Sequence, residues 1–472
     1  MKIFDLIFIG SKLTNIIAIK EILDRNDKRK VALLSSTSSI GGHFSSLKIN
    51  EKIYDPGTVL HEFTSFNNSK YNNINEYNPK IRNDAGRYYS NVENYIRKNI
   101  DIYKIIKPQM LYKGKLYDDI IFSNSFETFN KLPIKKNINR DLSLIIKSNK
   151  KEFHPKDKYY KEIYKSISYR EASLNNHGKT LHYQIFEPFF QKMTNRSTDK
   201  LLALYSRVAW LPLYYPETIY DILNDKRIAI NTTEFHYPSE GFIGALAKSI
   251  YIKSMQKGLN HFTDKINFKE TINKLNKGII SFENGSSIKG EKIIYSDALN
   301  KLIEKSSLDD YSCLALEAWS INLLFTSIDK HAIKNLFSCI YFPEKTSLFY
   351  RIRHQPNLEN ERKEEAKLII ELNPDYTSSK GYKATKDILD EVYRTLVEGN
   401  LIKSGYPLRL EKDLTLYNCI SLPNADNIFK LQVQMDSAAK RYPEIIFPSL
   451  NGFFADTLND QVLKGLKIGR TI

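Results

Sequence analysis

Cysteine is scarce in this sequence, with only 3 among 472 residues. Cys313, Cys339 and Cys419 lie far apart and show none of the close spacings that hold a metal ion or build a disulfide framework. The sequence therefore excludes the small disulfide-stapled and zinc-ribbon classes, and it indicates a reducing compartment. We expect no metal site.

Long apolar runs are also missing. No run approaches the roughly 18 residues that a membrane-spanning helix needs, and the mean hydropathy is -0.42. The first residues lack the basic segment, the apolar segment and the small-residue cleavage site of a signal peptide. These absences predict a cytoplasmic protein without a membrane span.

Acidic residues are outnumbered, with 54 Asp and Glu against 70 Lys and Arg, a net charge of +16. Such an excess favours an anionic partner, which is a nucleotide, a sugar diphosphate, nucleic acid or a lipid surface. It is equally typical of a lysine-rich composition spread over the whole surface, because no dense basic block stands out. We expect no nucleic-acid partner, and the sequence carries no signal for the oligomeric state.

Apolar and aromatic residues are abundant, at 42% and 12%, so the chain can bury a large core in two or three domains. The apolar pattern predicts a strand over Phe4–Ile9, a helix over Ile16–Leu23 and a second strand over Lys30–Ser36. Two further apolar runs around Asn284-Gly285 predict a hairpin, and the amphipathic stretch TKDILDEVYRTLVEGNLI predicts a helix. A strand, turn, helix and strand at the start are typical of a dinucleotide-binding fold.

Glycine is missing where such a fold uses it. The usual turn after the first strand is G-x-G-x-x-G, whereas residues 10–15 read GSKLTN. Gly10 permits the tight turn, but Lys12 and Asn15 replace the second and third glycines. Backbone N–H groups at a helix N-terminus still bind anions, and the hydroxyls of Ser11 and Thr14 add donors.

Two substitutions, Lys12 and Ser35, leave open whether this stretch binds a dinucleotide. The Lys12 ammonium either reaches a phosphate or its side chain fills the pyrophosphate site. The acidic residue that usually holds a ribose hydroxyl at the end of the second strand is replaced by Ser35, next to Ser36, and serine brings no charge. A strand and helix without any ligand therefore remain as good an interpretation of this stretch as a nucleotide site.

Later segments carry glycine turns in a fixed order. Residues 39–63, SIGGHFSSLKINEKIYDPGTVLHEF, contain Gly41-Gly42 and then Asp55-Pro56-Gly57. They are followed by YPSEGFIGALAKSI, ETINKLNKGIISFENGSSIKGEKIIYSDAL and NGFFADTLNDQVLKG. In this order the segments resemble the flavoprotein superfamily of amine oxidases, protoporphyrinogen oxidases, phytoene desaturases and UDP-galactopyranose mutases. The stretch YFPEKTSLFYRIRHQPNL and the later Glu371 are most similar to the glycan-associated and mutase-like members.

The resemblance implies an α/β fold in which a discontinuous, Rossmann-like FAD-binding domain carries an inserted α+β substrate domain. The FAD-binding domain is expected to comprise residues 1–65, 240–310 and 415–472, and the substrate domain residues 66–239 and 311–414.

The resemblance also implies which residues bind FAD. Ile272 is expected on a strand that meets the adenine, and Asp460 is expected to cap a helix that faces the ribityl chain. The expected cofactor residues are Gly10, Ser11, Thr14, Asn15, Ser35, Ser36, Gly41, Gly42, His43, Asp55, Gly57, Ile272, Gly452, Phe453, Asp460, Gln461 and Val462. Because Lys12, Ser35 and Phe453 all depart from the family pattern, weak or lost FAD binding stays open.

The function implied by the resemblance is an FAD-dependent oxidoreductase that acts on a polar small molecule, a sugar nucleotide or a glycan-linked substrate of polysaccharide biosynthesis. A mutase that uses reduced flavin without net redox change is an alternative, and a flavin-free binding or scaffold protein is another. Candidate catalytic residues are Arg207, His61, Arg351 and Arg353. The last two are two positions apart on an expected strand, so both side chains point to one face and suit an anionic substrate group.

Overall fold

The computed structural model describes residues 1–25, 28–35, 39–57, 60–65, 90–118, 126–148, 160–209, 211, 213, 216–224, 232–296, 315–356, 364–447 and 457–472. In chain order its strands are β1 (Lys2–Ile9), β2 (Val31–Leu34), β3 (Leu47–Ile49), β4 (Lys52–Tyr54), β5 (His61–Ser65), β6 (Ile102–Lys104), β7 (Gln109–Tyr112), β8 (Lys115–Tyr117), β9 (Thr232–Pro238), β10 (Asn260–Phe262), β11 (Ile279–Ser281), β12 (Ser287–Tyr295), β13 (Ala318–Asp329), β14 (Cys339–Tyr341), β15 (Phe349–Gln355), β16 (Glu365–Leu372), β17 (Arg409–Ser421) and β18 (Ile445–Ile446). Its α-helices are α1 (Leu13–Asp24), α2 (Phe126–Lys131), α3 (Lys135–Ser148), α4 (Tyr160–Tyr164), α5 (Tyr169–Leu181), α6 (Glu187–Thr194), α7 (Pro216–Leu223), α8 (Ala245–Gln256), α9 (Phe268–Lys274), α10 (Pro374–Ser379), α11 (Thr385–Glu398), α12 (Ala425–Arg441) and α13 (Leu458–Thr471).

The first sheet has the order β10-β2-β1-β12-β11, with β18 also paired to β12. Strands β10, β2, β1 and β12 are parallel, and the apolar runs of the central strands β1 and β2 are buried on both faces, as is usual for parallel sheets. The predicted hairpin is confirmed, because β11 and β12 are antiparallel and Gly285 in their turn has a φ of 81°. This sheet joins segments that are far apart in the sequence.

Helices α1, α8 and α13 lie side by side against the first sheet and run in the same direction. Gly465 of α13 packs on Thr14 and Ile17 of α1, and Gly469, one turn later, packs on Ala18 and Glu21. At the other end of the bundle, Lys257 after α8 pairs with Asp24 at 2.8 Å. Because α1 starts where β1 ends, the N-termini of these helices meet at the carboxyl edge of the parallel strands.

The second sheet has the order β17-β13-β16-β15-β14-β7-β8 and is antiparallel except between β7 and β14. Helix α11, which the sequence predicts, packs on one face through Ile388, Val392 and Leu396. A three-stranded sheet, β5-β9-β6, and the hairpin β3-β4 complete the strands.

Strand β17 is continuous from 409 to 421, so the predicted domain boundary at residue 415 falls inside it. The domain division remains a prediction.

The predicted α/β class is confirmed by these mixed sheets and helices. In the part of the chain that the structure describes, no helix is long and apolar enough to cross a membrane.

Candidate functional site

The turn after β1 is built around Gly10, which has a φ of 97°. Asn15 fills the space below this turn. Its side-chain amide donates to the carbonyls of Ile9 at 3.2 Å and Gly10 at 2.8 Å, and its Oδ1 is buried without a hydrogen-bond partner among the described residues. Where the family has a glycine that lets helix and strand approach, this chain has an amide that ties the helix to the end of β1.

Lys12 is the N-cap residue of α1, and its side chain makes no capping hydrogen bond. The parallel bridge between Lys12 and Gly41 engages the Leu13 N–H with the Gly41 carbonyl, whereas the Thr14 N–H has no carbonyl one turn earlier to accept from it. The stem of Lys12 lies along Gly42, with Cγ 3.6 Å from the position that a Cβ of that glycine would take. Among the described residues Lys12 has no ion pair. The N-terminus of α1 therefore presents an uncapped N–H group at Thr14, with the side chain of Lys12 beside it.

The Gly41-Gly42 turn lies directly beside this helix start. The N–H of Gly41 donates to the Ser11 carbonyl at 2.8 Å, and the Ser11 hydroxyl donates to the Ser39 carbonyl at 2.9 Å. Gly41 has a φ of 108°, and a Cβ there would lie 2.8 Å from Cβ of Ala247 in α8, so only glycine fits. His43, next in the chain, is exposed. The turn thus connects the starts of α1 and α8.

Ser35 ends β2, where its N–H donates to the Phe262 carbonyl of β10 at 3.0 Å. The residue is buried. Ser36, Gly452 and Phe453, which the sequence assigns to the cofactor, lie outside the described residues. Their roles remain predictions.

The expected cap at Asp460 is wrong, because Thr457 is the N-cap residue of α13. The Thr457 hydroxyl accepts from the Asp460 N–H at 3.2 Å and donates to the Asp460 carboxylate at 2.6 Å. This is a capping box, which the sequence Thr-Leu-Asn-Asp signals. Gln461 and Val462 follow in the helix and are buried, Val462 in the core beside α1.

The expected strand at Ile272 is also wrong. Ile272 lies in α9, whose N-cap Asn267 accepts from the Glu270 N–H at 3.2 Å. Its side chain is buried against the first sheet. The strand that pairs with β2 is β10, earlier in the chain. The Asn-x-x-Glu spacing at 267–270 is the helix-start signal that identifies α9 in the sequence.

Asp55 is completely buried, and its carboxylate accepts four hydrogen bonds. The donors are the Ser46 hydroxyl at 2.8 Å, the Tyr237 hydroxyl at 2.6 Å, the Ile243 N–H at 3.2 Å and the Arg353 guanidinium at 3.0 Å. A carboxylate offers about four acceptor positions. Asp55 therefore has no acceptor position left for a ligand, and its role is to hold the four protein groups that donate to it.

Arg351 and Glu371 form a buried ion pair across β15 and β16. The Tyr350 hydroxyl donates to Glu371 at 3.2 Å, and the guanidinium lies 5.8 Å from the ring centroids of Tyr341 and Tyr350. Burial alone would lower the pKa of Arg351, but the Glu371 carboxylate raises it, so the arginine stays charged. A Cβ at Gly57 would lie 3.3 Å from Glu371 Oε1, which puts this pair directly beside the Asp55–Gly57 segment.

His61 lies on β5 opposite His236 of β9 and is fully buried. Neither of its ring nitrogens has a hydrogen-bond partner among the described residues. Burial, with a smaller contribution from His236, lowers its pKa to about 3, so the imidazole is neutral.

Arg207 lies in the short 3-10 helix Ala203–Ala209, and its side chain is outside the described part.

Sequence reasoning assigned no role to several residues that build this region. Tyr237, Ser46, Gln355 and Lys367 all contact the segment from Ile53 to Gly57. The alternation Arg-x-Arg-x-Gln in β15 is the sequence pattern that indicates such contacts, because polar residues at every second position of a buried strand form one polar face. Among the described residues, no group of three or more His, Cys, Asp or Glu is arranged to hold a metal ion.

Solved structures share this fold. A UDP-galactopyranose mutase in its reduced form is 14% identical, with a TM-score of 0.71 over 98% of this chain and 92% of that chain. A protein assigned as a protoporphyrinogen oxidase from Exiguobacterium sp. 255-15 is 10% identical, with a TM-score of 0.59 over 100% and 98% of the two chains. Putrescine oxidase bound to putrescine is 10% identical, with a TM-score of 0.56 over 99% and 97%.

No protein-family model and no curated protein sequence matches the chain. At these identities the structural similarity concerns the fold alone. For the fold, the resemblance predicted from the sequence is confirmed: the chain adopts the fold that the solved UDP-galactopyranose mutase, protoporphyrinogen oxidase-like and putrescine oxidase structures share.

Proposed function

We propose that this chain binds FAD and acts as a flavoenzyme on a small anionic substrate, a sugar nucleotide or a related glycan-linked molecule. The observation that carries the proposal is the uncapped N-terminus of α1 beside the Gly41-Gly42 turn. Free N–H groups and the positive end of a helix dipole bind phosphate, and this one lies at the carboxyl edge of a parallel sheet, where nucleotides bind in such folds.

The residues present fit a dinucleotide. The Thr14 N–H group and the Lys12 ammonium suit the diphosphate, and Gly41-Gly42 allows a close approach of the backbone. Ser35 stands where an acidic residue would bind a ribose hydroxyl of the dinucleotide. Without that carboxylate, binding is weaker by about 1.5–3 kcal/mol, or roughly tenfold to hundredfold in affinity. We therefore expect FAD binding that is weaker than is usual in the superfamily.

Bound FAD would supply two-electron chemistry through its isoalloxazine ring. The protein's part is to place that ring and the substrate. The turn Asp55-Pro56-Gly57 is the segment that the family resemblance assigns to the ring, and the Arg351–Glu371 pair lies beside Gly57. Arg351, with Tyr341 and Tyr350 around it, is suited to orient an anionic group there, and neutral His61 is suited to accept or donate a hydrogen bond without adding charge.

A mutase is the second candidate, and the structural similarity to UDP-galactopyranose mutase, at a TM-score of 0.71, favours it. Both candidates share the cofactor and differ in whether electrons leave the site. Incubation of the protein with FAD and UDP-galactopyranose, with and without dithionite, distinguishes them. Turnover that requires the reductant but consumes no oxidant indicates a mutase, whereas flavin bleaching by the substrate alone indicates an oxidoreductase.

The first experiment is a visible spectrum of freshly purified protein, followed by titration with FAD. We expect a yellow protein, or colour and flavin-fluorescence quenching recovered on adding FAD. A protein that takes up no FAD at high concentration would contradict the proposal and would favour a flavin-free binding or scaffold protein.

A further inference from the structure

The segment from Ile53 to Gly57 lies across the second sheet, and side chains of that sheet satisfy its backbone. The Ile53 carbonyl accepts from Gln355 at 2.9 Å and from Lys367 at 3.0 Å. The Asp55 N–H donates to Gln355 Oε1 at 2.7 Å, and the Gly57 carbonyl accepts from Arg353 at 3.0 Å. Ile53 and Tyr54 also pair with β3 through the backbone. Beyond that hairpin, the bonds to Asp55 and Gly57 come from side chains of the second sheet, which therefore help to position this turn.

Arg353 bonds the segment at two places, as Gln355 does, and it is the one of the two that carries a charge. One arm of its guanidinium donates to the Gly57 carbonyl and the other to the Asp55 carboxylate. Arg353 is 1% exposed and Asp55 0% exposed, so neither bond competes with water. The planar fork of arginine fixes both acceptors relative to each other, which a lysine cannot do.

Asp55 extends the same connection toward the nucleotide side of the site. Its carboxylate accepts from Ser46, in the loop after Gly41-Gly42, and from the Ile243 N–H just before α8. The parts that would hold the diphosphate are thereby tied, through one carboxylate and one guanidinium, to the sheet that carries Arg351 and Glu371.

We propose that Arg353 and Asp55 are positioning residues that set the distance between the diphosphate-binding and ring-binding parts of the FAD site. The inference rests on the proposed function. It gives Arg353 a different role from the direct substrate contact expected from the sequence, because the side chain is almost completely buried and both ends of its guanidinium are bonded to the protein. An alternative is a buried ion pair that only stabilises the fold.

Lys192 provides a matched control. It is also a fully buried basic side chain, and it donates to the carbonyls of Phe342 and Phe349 and to the Ser347 hydroxyl at 2.5 Å. It therefore supports the turn between β14 and β15 and makes no hydrogen bond to residues 53–57. Lys192→Met and Arg353→Met both remove buried hydrogen-bond donors that support the second sheet, but only Arg353→Met releases the segment.

The test compares the wild type, Arg353→Met, Arg353→Lys and Lys192→Met. FAD affinity is measured by fluorescence titration, the ring environment by visible circular dichroism of bound flavin, and amide hydrogen exchange is followed in the FAD-free protein. We expect Arg353→Met to weaken FAD binding about tenfold to hundredfold and to raise exchange at residues 53–57. Arg353→Lys should recover only part of the affinity, and Lys192→Met should leave FAD affinity, flavin dichroism and exchange at 53–57 as in the wild type.

Equal effects of Arg353→Met and Lys192→Met on affinity and exchange would overturn the positioning role, as would full recovery by Arg353→Lys. If the wild type binds no FAD, the proposed function fails and the positioning role with it. The exchange data then still report whether Arg353 holds residues 53–57.

Discussion

At the residue scale, the site differs from the flavoprotein pattern that the sequence resembles mainly by replacing glycine and carboxylate with polar side chains. Asn15 bonds the end of β1, and Lys12 lies along Gly42. Both substitutions add side-chain volume around a turn that usually has none. Whether the turn still binds a diphosphate depends on the Lys12 ammonium, which has no ion pair among the described residues.

Lys12→Met is the variant that tests this ammonium, because it keeps most of the stem and removes the charge. If the ammonium binds a phosphate, the variant should bind FAD about tenfold more weakly, and the wild-type affinity should fall more steeply with salt than that of the variant. Fluorescence titrations at two salt concentrations measure both effects. Tighter binding by Lys12→Met would mean that the charge opposes FAD. In that case Lys12→Gly with Ser35→Glu should restore full affinity.

His61 should make the stability of the protein depend on pH. Its folded-state pKa is about 3, below the ordinary value of 6.5, so between these two values His61 is protonated in the unfolded chain but not in the folded chain. The contribution of His61 to the free energy of unfolding should be fully present above pH 6.5. It should decrease as the pH falls, by about 2 kcal/mol between pH 7 and pH 5 for this residue alone. Urea unfolding at both values measures the fall. In His61→Leu the dependence should be shallower by that amount, and an unchanged slope would contradict a buried neutral His61.

At the scale of elements, the contact between α1 and α13 depends on two glycines one turn apart. A Cβ at Gly465 would lie 2.6 Å from the Ile17 Cβ and 2.7 Å from the Thr14 carbonyl oxygen, both closer than atoms can pack. The backbones of the two helices therefore approach until no side chain fits between them.

Gly465→Ala should destabilise the protein by about 1–3 kcal/mol, since overpacking forces the helices apart. The direction of the change in unfolding free energy is informative, because replacing glycine with alanine inside a helix otherwise stabilises a protein by about 1 kcal/mol. Chemical denaturation of the variant and of Lys467→Ala, an exposed position of the same helix, measures the difference. A stabilised Gly465→Ala variant would show that the helices are farther apart.

Sequence patterns were most reliable for elements with a strong local signal. The first strand and helix, the hairpin at Asn284-Gly285 and helix α11 were predicted because apolar periodicity and turn residues specify them locally. The strand expected at Ile272 and the cap expected at Asp460 are wrong because the order of the family segments outweighed the local helix-start signals, Asn267-x-x-Glu270 and Thr457-x-x-Asp460. The bonds that Asp55 makes to Tyr237 and Arg353 join residues far apart in sequence, and no local pattern indicates such pairs.

At the scale of the whole molecule, bound FAD should stabilise every segment that its site joins. Binding to the folded state alone raises the free energy of unfolding by about 2.7 kcal/mol at a ligand concentration one hundred times the Kd. Thermal unfolding with increasing FAD should therefore show a rising Tm, in proportion to the logarithm of the FAD concentration. ADP, which carries the diphosphate without the flavin, should raise Tm less. No change in Tm with either ligand would argue against a nucleotide site.

The packing of α13 on α1 has a consequence for the order of folding. The two helices are separated by almost the whole sequence, yet each buries apolar residues of the other. On the ribosome, β1 and α1 emerge well before α13, and the face that α13 covers stays open until residues 458–471 have been synthesised. Non-local contacts of this kind slow folding and expose apolar surface. We therefore expect the nascent chain to depend on chaperone binding at α1, and release of a chain truncated before residue 458 should lead to aggregation.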